Sequence, residues 1–211
     1  LRFESSADGV DAYLRISGSS SSIAVVGLEF DGTGSPSSGD GIQVREPDGT
    51  DTIDRISLFD LRMANMGGVG VDAGQADPDV DQATIRNIEI SFMIIQGAGG
   101  PCVRVRTLTE GMNSVHENLF ADCTGPGIMA RSFNGALFIN GMRGTTGPGI
   151  DVGSGAGAGH ADLTFSTDVH TNVVVGAAVG VNIASDGQVR FNTIVEPTGG
   201  GVTATVGTGR V

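Results

Sequence analysis

The sequence predicts an all-β solenoid, a chain wound into successive coils of short strands, and three observations predict it. Seven of the nine phenylalanines end short alternating runs and return after 18 to 33 residues. A turn, then a glycine followed by a β-branched residue, comes after six of them. No segment keeps a period near 3.6 residues with a cap at each end, so we expect almost no helix. A strand-based repeat of this length is typical of a solenoid.

The phenylalanine repeat supplies the first half of each unit. Its members are Phe30, Phe59, Phe92, Phe120, Phe138, Phe165 and Phe191. Their regular return predicts a column of rings inside the solenoid, because offset aromatic pairs add about 0.5–1.5 kcal/mol beyond their burial. A β-sandwich is the alternative for short strands separated by turns. A sandwich gives no reason for phenylalanine to return once per coil.

The glycine pairs supply the second half of each unit. They are Gly41-Ile42, Gly70-Val71, Gly127-Ile128, Gly149-Ile150, Gly180-Val181 and Gly201-Val202, with Gly100-Pro101-Cys102-Val103 in the equivalent place of the third unit. Runs such as 88–92 and 103–106 alternate in polarity, which indicates strands with one inward and one outward set of side chains. We expect the glycines at corners that need a positive φ or a close backbone approach.

This coil pattern, as in residues 22–32, resembles the right-handed parallel β-helix proteins of the pectate-lyase-like superfamily, which include viral tailspikes and other virion appendages. The resemblance covers roughly residues 12–206. It implies a right-handed parallel β-helix of about seven coils, and we treat residues 1–211 as a single domain. It is specific for the fold and not for an activity, since this architecture hosts lyases, hydrolases, epimerases and inert stalks.

The charge excludes several partners. The chain of 211 residues has 24 acidic and 12 basic residues and a net charge of −12, and every basic residue is arginine. Such a surface repels phosphate backbones and anionic lipid, so we expect no nucleic-acid partner. A GC-rich genome is one explanation of the arginine bias. A salt-adapted host is the more specific interpretation, because halophilic proteins carry a large net negative charge.

No membrane insertion is expected from the apolar segments. The longest of them, such as 173–175 and 177–179, are far shorter than the roughly 20 residues of a membrane-spanning helix. No charged region followed by an apolar region opens the sequence, as a signal peptide would. Because Leu1 is not an initiator methionine, we expect the sequence to be a processed part or fragment of a longer chain.

The two cysteines are predicted to be small core residues. Cys102 and Cys123 are too few to staple a chain of this size. Neither belongs to a Cys-x-x-Cys motif or a Cys/His cluster, so a zinc site is not expected. Two cysteines do not indicate whether the protein belongs to a reducing or an oxidising compartment.

Three aspartates are the candidate catalytic residues. Asp31 and Asp60 each follow a phenylalanine of the repeat, so they are predicted to point outward on neighbouring coils. A separation of about 5 Å would match the carboxylates of a retaining glycosidase. Asp168 lies two residues before His170, which would place both on one strand face as an acid-base couple. A solvated acidic surface is the alternative for all three aspartates.

The motifs of the enzymatic branches are missing. The resemblance implies paired aspartates and a Gly-His-Gly turn for the hydrolases, and calcium-binding carboxylates with a basic residue for the lyases. No Asp-Asp pair occurs, and no motif surrounds Arg104, Arg106 or Arg131. His116 beside Glu117 is a further polar pair without a motif.

Asp77, Asp79 and Asp81 alternate in an oxygen-rich loop and are the candidate metal ligands. Such loops can bind Ca²⁺, although the glycine and glutamate of the twelve-residue calcium loop are replaced by Gln82 and Ile88. The glycine-rich segment 153–159 does not lead into a predicted helix and lacks the lysine of a phosphate-binding loop. No cofactor is expected.

These observations favour a non-enzymatic module that is structural or receptor-binding. The resemblance implies a tailspike, fibre or capsid appendage, located in a virion or outside the cell, forming a homotrimer with other virion proteins as neighbours. A cell-surface glycan is a possible receptor, although Tyr13 is the single tyrosine or tryptophan that could stack on a sugar. Partner contacts are expected in the longer loops 33–40, 74–82 and 107–113. The alternatives are a polysaccharide-degrading lyase or glycoside hydrolase and a cell-surface adhesin.

Overall fold

The computed structural model describes residues 2–3, 12–32, 39–45, 51–74, 84–153, 166–184 and 187–204. These residues form strands β1 to β21 and contain no helix, which confirms the all-β prediction. Within these ranges there is accordingly no helix of the length and apolarity that a membrane crossing requires. The pairing of the strands divides them into three faces.

A 14-stranded sheet contains the first two faces. Face 1 consists of β2 (Ala12–Ile16), β5 (Asp40–Val44), β8 (Val71–Gly74), the first halves of β11 (Val103–His116) and β13 (Ile128–Phe138), β15 (Ile150–Gly153), β18 (Val179–Ala184) and β21 (Gly200–Ala204). Face 2 consists of β3 (Ser20–Val26), β6 (Thr52–Phe59), β9 (Thr84–Ser91), the second halves of β11 and β13, β16 (Thr167–His170) and β19 (Gly187–Arg190). These strands are parallel, and β1 (Arg2–Phe3) pairs antiparallel with β2.

A separate seven-stranded parallel sheet forms face 3. It consists of β4 (Glu29–Asp31), β7 (Arg62–Ala64), β10 (Ile94–Gln96), β12 (Leu119–Ala121), β14 (Gly141–Arg143), β17 (Val173–Val175) and β20 (Thr193–Val195). Between consecutive face-3 strands the chain passes through faces 1 and 2, so each face receives one strand in every round. This solenoid-like arrangement is compatible with a parallel β-helix.

The β-branched residues of the glycine pairs form one buried row on face 1. The paired positions are Ile42, Val71, Val103, Ile128, Ile150, Val181 and, at the exposed end, Val202. This half of the predicted repeat is confirmed. Close approach requires the glycine in the pairs from Gly41 to Gly180, and a Cβ on Gly149, for example, would lie 2.4 Å from the Val174 side chain. Gly201, at the exposed end, has open space around it.

The predicted column of seven phenylalanines is wrong. Its described members are divided among the inward row of face 3 (Phe30, Phe120), the ends of face-2 strands (Phe59, Phe138) and the corner between these faces (Phe92, Phe191). Phe120 is buried, whereas Phe92 is 46% and Phe191 81% exposed. Phe165 lies outside the described residues. A shift of one residue turns a strand side chain from the core to the solvent, so similar spacing did not give the same orientation.

Asparagines, and not phenylalanines, form a row of side chains that stack from round to round at the corner between faces 2 and 3. Asn118, Asn140 and Asn172 are buried, and Asn192 continues the row toward the chain end. The Nδ2 of Asn118 donates to Oδ1 of Asn140 at 2.9 Å, and Asn140 donates in the same way to Asn172 at 3.0 Å. Because each amide also satisfies backbone groups, the row compensates the polar groups of the turns.

Segment 107–113 was expected to be a loop but belongs to strand β11. The pairing of β11 with β13 continues across it, with a register shift between Leu108 and Asn113. Asn113 is buried and accepts a hydrogen bond from the backbone N–H of Ile88 at 3.1 Å. The longer unit is therefore accommodated by an irregular strand.

Cys102 and Cys123 are core residues, as predicted, but they form a disulfide that the sequence analysis did not expect. Both residues are fully buried, with their Cα atoms 5.7 Å apart. Cys102 precedes Val103 of face 1, and Cys123 follows β12 of face 3. Both cysteines therefore lie at the corner between faces 3 and 1, in the turns of two successive rounds that the bond links. The sequence separation of 21 residues did not reveal this proximity.

Removing the disulfide with Cys102→Ala and Cys123→Ala should lower the free energy of unfolding by about 3 kcal/mol, because the unfolded chain regains the freedom of the closed loop. Urea unfolding at neutral pH measures the difference. A reducing agent should destabilise the wild-type protein and leave the double variant unchanged. Equal stability of the oxidised and reduced wild-type protein would contradict the prediction.

Candidate functional site

The most strongly charged cluster of the described surface lies on the outer side of face 1 and centres on Asp72. The carboxylate of Asp72 is fully buried, although it points away from the apolar core. Arg104 donates from Nε at 2.9 Å and from Nη2 at 2.7 Å, and Arg106 donates from Nη2 at 2.9 Å. Arg45 donates to the same carboxylate from the other side. Strand pairing places these groups together, because β8 lies between β5 and β11.

The charges of the cluster determine its protonation state. Burial by itself raises the pKa of Asp72, but the hydrogen bonds from Arg104 and the positive charges of the three arginines outweigh this effect. The pKa of Asp72 therefore lies below its ordinary value. The hydrogen bonds to Asp72 raise the pKa of Arg104, whereas burial lowers that of Arg106. Arg104 is consequently a fixed cation and not a candidate base.

A second ion pair on face 1 engages Arg131. Its Nη2 donates to the carboxylate of Asp151, and its Nη1 donates to the Asp151 carbonyl at 3.0 Å. Asn182 donates to the other oxygen of Asp151 at 2.7 Å. The three arginines considered for lyase chemistry are thus all bound to carboxylates on neighbouring strands.

The predicted stacking of Asp31 on Asp60 is wrong. Asp31 is the last residue of β4 and pairs with Ala64 of β7, whereas Asp60 lies in the corner before β7 with a φ of 52°. Asp31 is exposed and accepts a hydrogen bond from Nδ2 of Asn65 at 3.2 Å. The two aspartates follow phenylalanines that lie on different parts of the unit, so their common spacing does not bring them into register.

Asp168 and His170 do share the outer side of β16, as predicted. The distance between Nε2 of His170 and the Asp168 carboxylate is 3.9 Å, longer than a hydrogen bond. The carboxylate instead binds Arg190 of the next strand, through Nη2 at 2.5 Å and Nε at 3.2 Å. These hydrogen bonds outweigh desolvation and lower the pKa of Asp168. An aspartate held ionised in this way is a poor general acid.

A column of stacked rings runs along the outer side of face 2. The ring of Phe138 lies between the imidazoles of His116 and His170, with centroids 4.6 and 5.2 Å apart and nearly parallel planes. Both nitrogens of His116 face carboxylates, Nδ1 that of Glu117 at 3.1 Å and Nε2 that of Glu89 at 3.2 Å. Since its neighbours cover both ring faces of Phe138, the column holds the strands together and offers little ring surface to a ligand.

The metal site in the acidic loop stays a prediction. Asp77, Asp79 and Asp81 lie outside the described residues, as do residues 154–159 of the glycine-rich segment. Across the described ranges, no group of three or more His, Cys, Asp or Glu side chains is arranged to hold a metal ion.

Comparison with known proteins adds no family to this geometry. Neither a protein-family model nor a curated protein matches the chain. The charged clusters therefore have to be interpreted from their own contacts.

Sequence reasoning missed Asp72 and Arg45. A usable signal existed, because Asp72 stands between Val71 and Ala73 in a strand whose flanking residues are apolar. A carboxylate at such a position needs a cationic partner. The chain offers twelve arginines, and only the strand pairing shows which of them reach it.

Replacing Asp72 with asparagine should lower the free energy of unfolding by about 3–5 kcal/mol at neutral pH, because three guanidinium groups lose their counter-charge. The folded pKa of Asp72 lies below the unfolded value, so its contribution is complete above that value. The contribution is lost as the pH falls below about 4 and through the folded pKa. The difference between variant and wild type should therefore shrink in acid. Urea unfolding across this pH range measures it.

Asp168→Asn is the matched control, because it removes an arginine-bound aspartate that is partly exposed. This substitution should lower the free energy of unfolding by less than about 1 kcal/mol. Equal losses for the two variants, or a difference at Asp72 that does not change in acid, would contradict the structural role of the buried carboxylate.

Proposed function

We propose that the chain is a right-handed parallel β-helix of about seven coils, similar to the pectate-lyase-like proteins. It serves as a non-enzymatic structural and receptor-binding module of a virion, as part of a tailspike, fibre or capsid appendage. The return of the chain to face 3 after every round and the unbroken row from Ile42 to Val202 support this assignment of the fold.

One observation carries the functional part of the proposal. The best placed acidic side chains, Asp72 and Asp168, each bind arginines of neighbouring strands and hold those strands together. Both carboxylates have a lowered pKa, so both are ionised near neutral pH and neither can donate a proton as a general acid. These ion pairs hold neighbouring strands together, as a rigid structural protein requires.

The buried disulfide supports a location in a virion or outside the cell. Stable disulfides persist in oxidising surroundings and are rare in the cytosol. The net charge of −12 fits a protein that must stay soluble, and a salt-adapted source is part of this proposal.

The proposed partners are two further copies of the chain, other virion proteins and a cell-surface glycan. Exposed aromatic residues support association, since Phe92 is 46% and Phe191 81% exposed. Large exposed apolar groups often mark interaction surfaces. Loops 33–40 and 74–82 remain the proposed contact regions, although most of their residues lie outside the described part of the chain.

Incubation with acidic polysaccharides should produce neither new reducing ends nor unsaturated uronates. The physical reason is that Asp168 is held ionised by Arg190, while Asp31 and Asp60 are not paired in register. Turnover that is abolished by Asp31→Asn, Asp60→Asn or Asp168→Asn, and retained by the control Asp54→Asn, would establish the enzymatic alternative instead.

The mass in solution should be about three times the chain mass of 21.4 kDa at micromolar concentration. Added salt should strengthen the trimer, because it screens the repulsion between negatively charged copies. Light scattering coupled to size exclusion at low and high salt measures both effects. A stable monomer under both conditions would count against the virion appendage and leave a monomeric adhesin as the alternative.

A further inference from the structure

A groove of about 370 Å³ lies on the outer side of face 3. Ile95, Phe120, Met142 and Val174 of this sheet are buried, so their neighbours on each strand point outward. Three outward residues along the groove are large and exposed: Ile94 by 42%, Leu119 by 60% and Val173 by 45%. The volume and the apolar lining are typical of a site for a small ligand.

Gly141 creates the depth of the groove. Strand pairing aligns Ile94, Leu119, Gly141 and Val173 in one outward row, in which the other members are aliphatic. Gly141 is not among the residues with positive φ, and a Cβ there would meet only the Leu119 tip at 3.0 Å and the Asn118 carbonyl oxygen at 3.9 Å. The backbone therefore does not demand glycine at this position. A glycine inside a strand weakens it and often marks the close approach of a ligand.

Arg143 supplies a positive charge at the same groove. It occupies the next outward position of β14 and is exposed. Within the described ranges, its guanidinium makes no hydrogen bond or ion pair, although acidic residues outnumber basic ones by 24 to 12. Asp122 follows Ala121, the residue that pairs with Arg143, and donates its backbone N–H to the Arg143 carbonyl at 3.0 Å. The Asp122 carboxylate accepts a hydrogen bond from Gln96 at 3.4 Å.

We propose that this groove binds the hydrocarbon chain of a single-chain anionic amphiphile, an alkyl carboxylate, and that Arg143 binds its head group. The chain lies across strands β10, β12, β14 and β17 and enters the gap at Gly141. This inference is independent of the virion role.

The shape and charge of the site select this class of ligand. Four neighbouring strands span three intervals of about 4.8 Å, so the apolar floor is roughly 14 Å long and suits a linear chain. A carboxylate accepts two parallel hydrogen bonds from a guanidinium, and this pairing is stronger than a neutral one. A cationic head group would be repelled by Arg143, and an uncharged one would lose the charge-assisted bonds.

Titration of the protein with sodium dodecanoate below its micelle concentration, followed by amide shifts in NMR spectra, tests the proposal. We expect saturable binding of one molecule, with shift changes confined to β10, β12, β14 and β17. Gly141→Val fills the gap and should weaken binding by about tenfold or more. Arg143→Gln removes the charge-assisted bonds and should also weaken binding about tenfold.

Arg62→Gln is the matched control, because Arg62 is an exposed arginine of face 3 that does not line the groove. Its affinity for dodecanoate should equal that of the wild type. Circular dichroism and thermal unfolding check each variant, and Leu119→Asn replaces Gly141→Val if the valine prevents folding.

Three results would overturn the proposal. The first is the lack of saturable binding to the wild-type protein. The second is equal affinity of dodecylammonium and dodecanoate for the wild type. The third is self-association that Gly141→Val abolishes and dodecanoate does not reverse, because the occupant of the groove would then be a second copy of the chain.

Discussion

Parallel pairing between strands of successive rounds is the constraint on which the structure depends. On face 3 the backbone of β4 pairs with β7, β7 with β10, and so on to β20. Each new strand satisfies the backbone groups left open by the preceding one, so every round must keep the register of its neighbours. Extra residues are accommodated where pairing permits, as in the irregular stretch of β11 between Leu108 and Asn113.

Because the strands keep their register, side chains at paired positions of successive rounds stack on one another. This stacking limits which residue types can occupy such a row. Aliphatic residues can form a continuous row, and asparagines can do so because an amide both donates and accepts, as Asn118 and Asn140 show. Like charges directly opposite each other repel. One charged row alternates in sign, because Asp54 pairs in register with Arg86, which in turn pairs with Glu110. Where Arg106 pairs with Arg131, each guanidinium instead binds a carboxylate, that of Asp72 or Asp151.

Strand register also explains why aspartates with the residue type of a catalytic site have a structural role in the folded protein. Asp72 and Asp168 have the residue types of a catalytic site, but their partners are arginines brought to them by adjacent strands. Arg143 differs, because its neighbours along the row are Ala121 and Val175 and no opposite charge is paired with it in the sheet.

The sequence by itself determined the all-β class and the glycine pairs whose β-branched members, from Ile42 to Val202, form one row. These features depend on composition and on alternation within a strand, which are local properties. It did not determine the orientation of Phe59 and Phe92, the pairing of Asp31 with Ala64, or the partners of Asp72. These depend on register between distant segments, where an error of one residue exchanges core and solvent. The disulfide was missed for the same reason: Cys102 and Cys123 meet because the chain returns to the corner between faces 3 and 1 after almost one round, and tertiary structure alone decides that proximity.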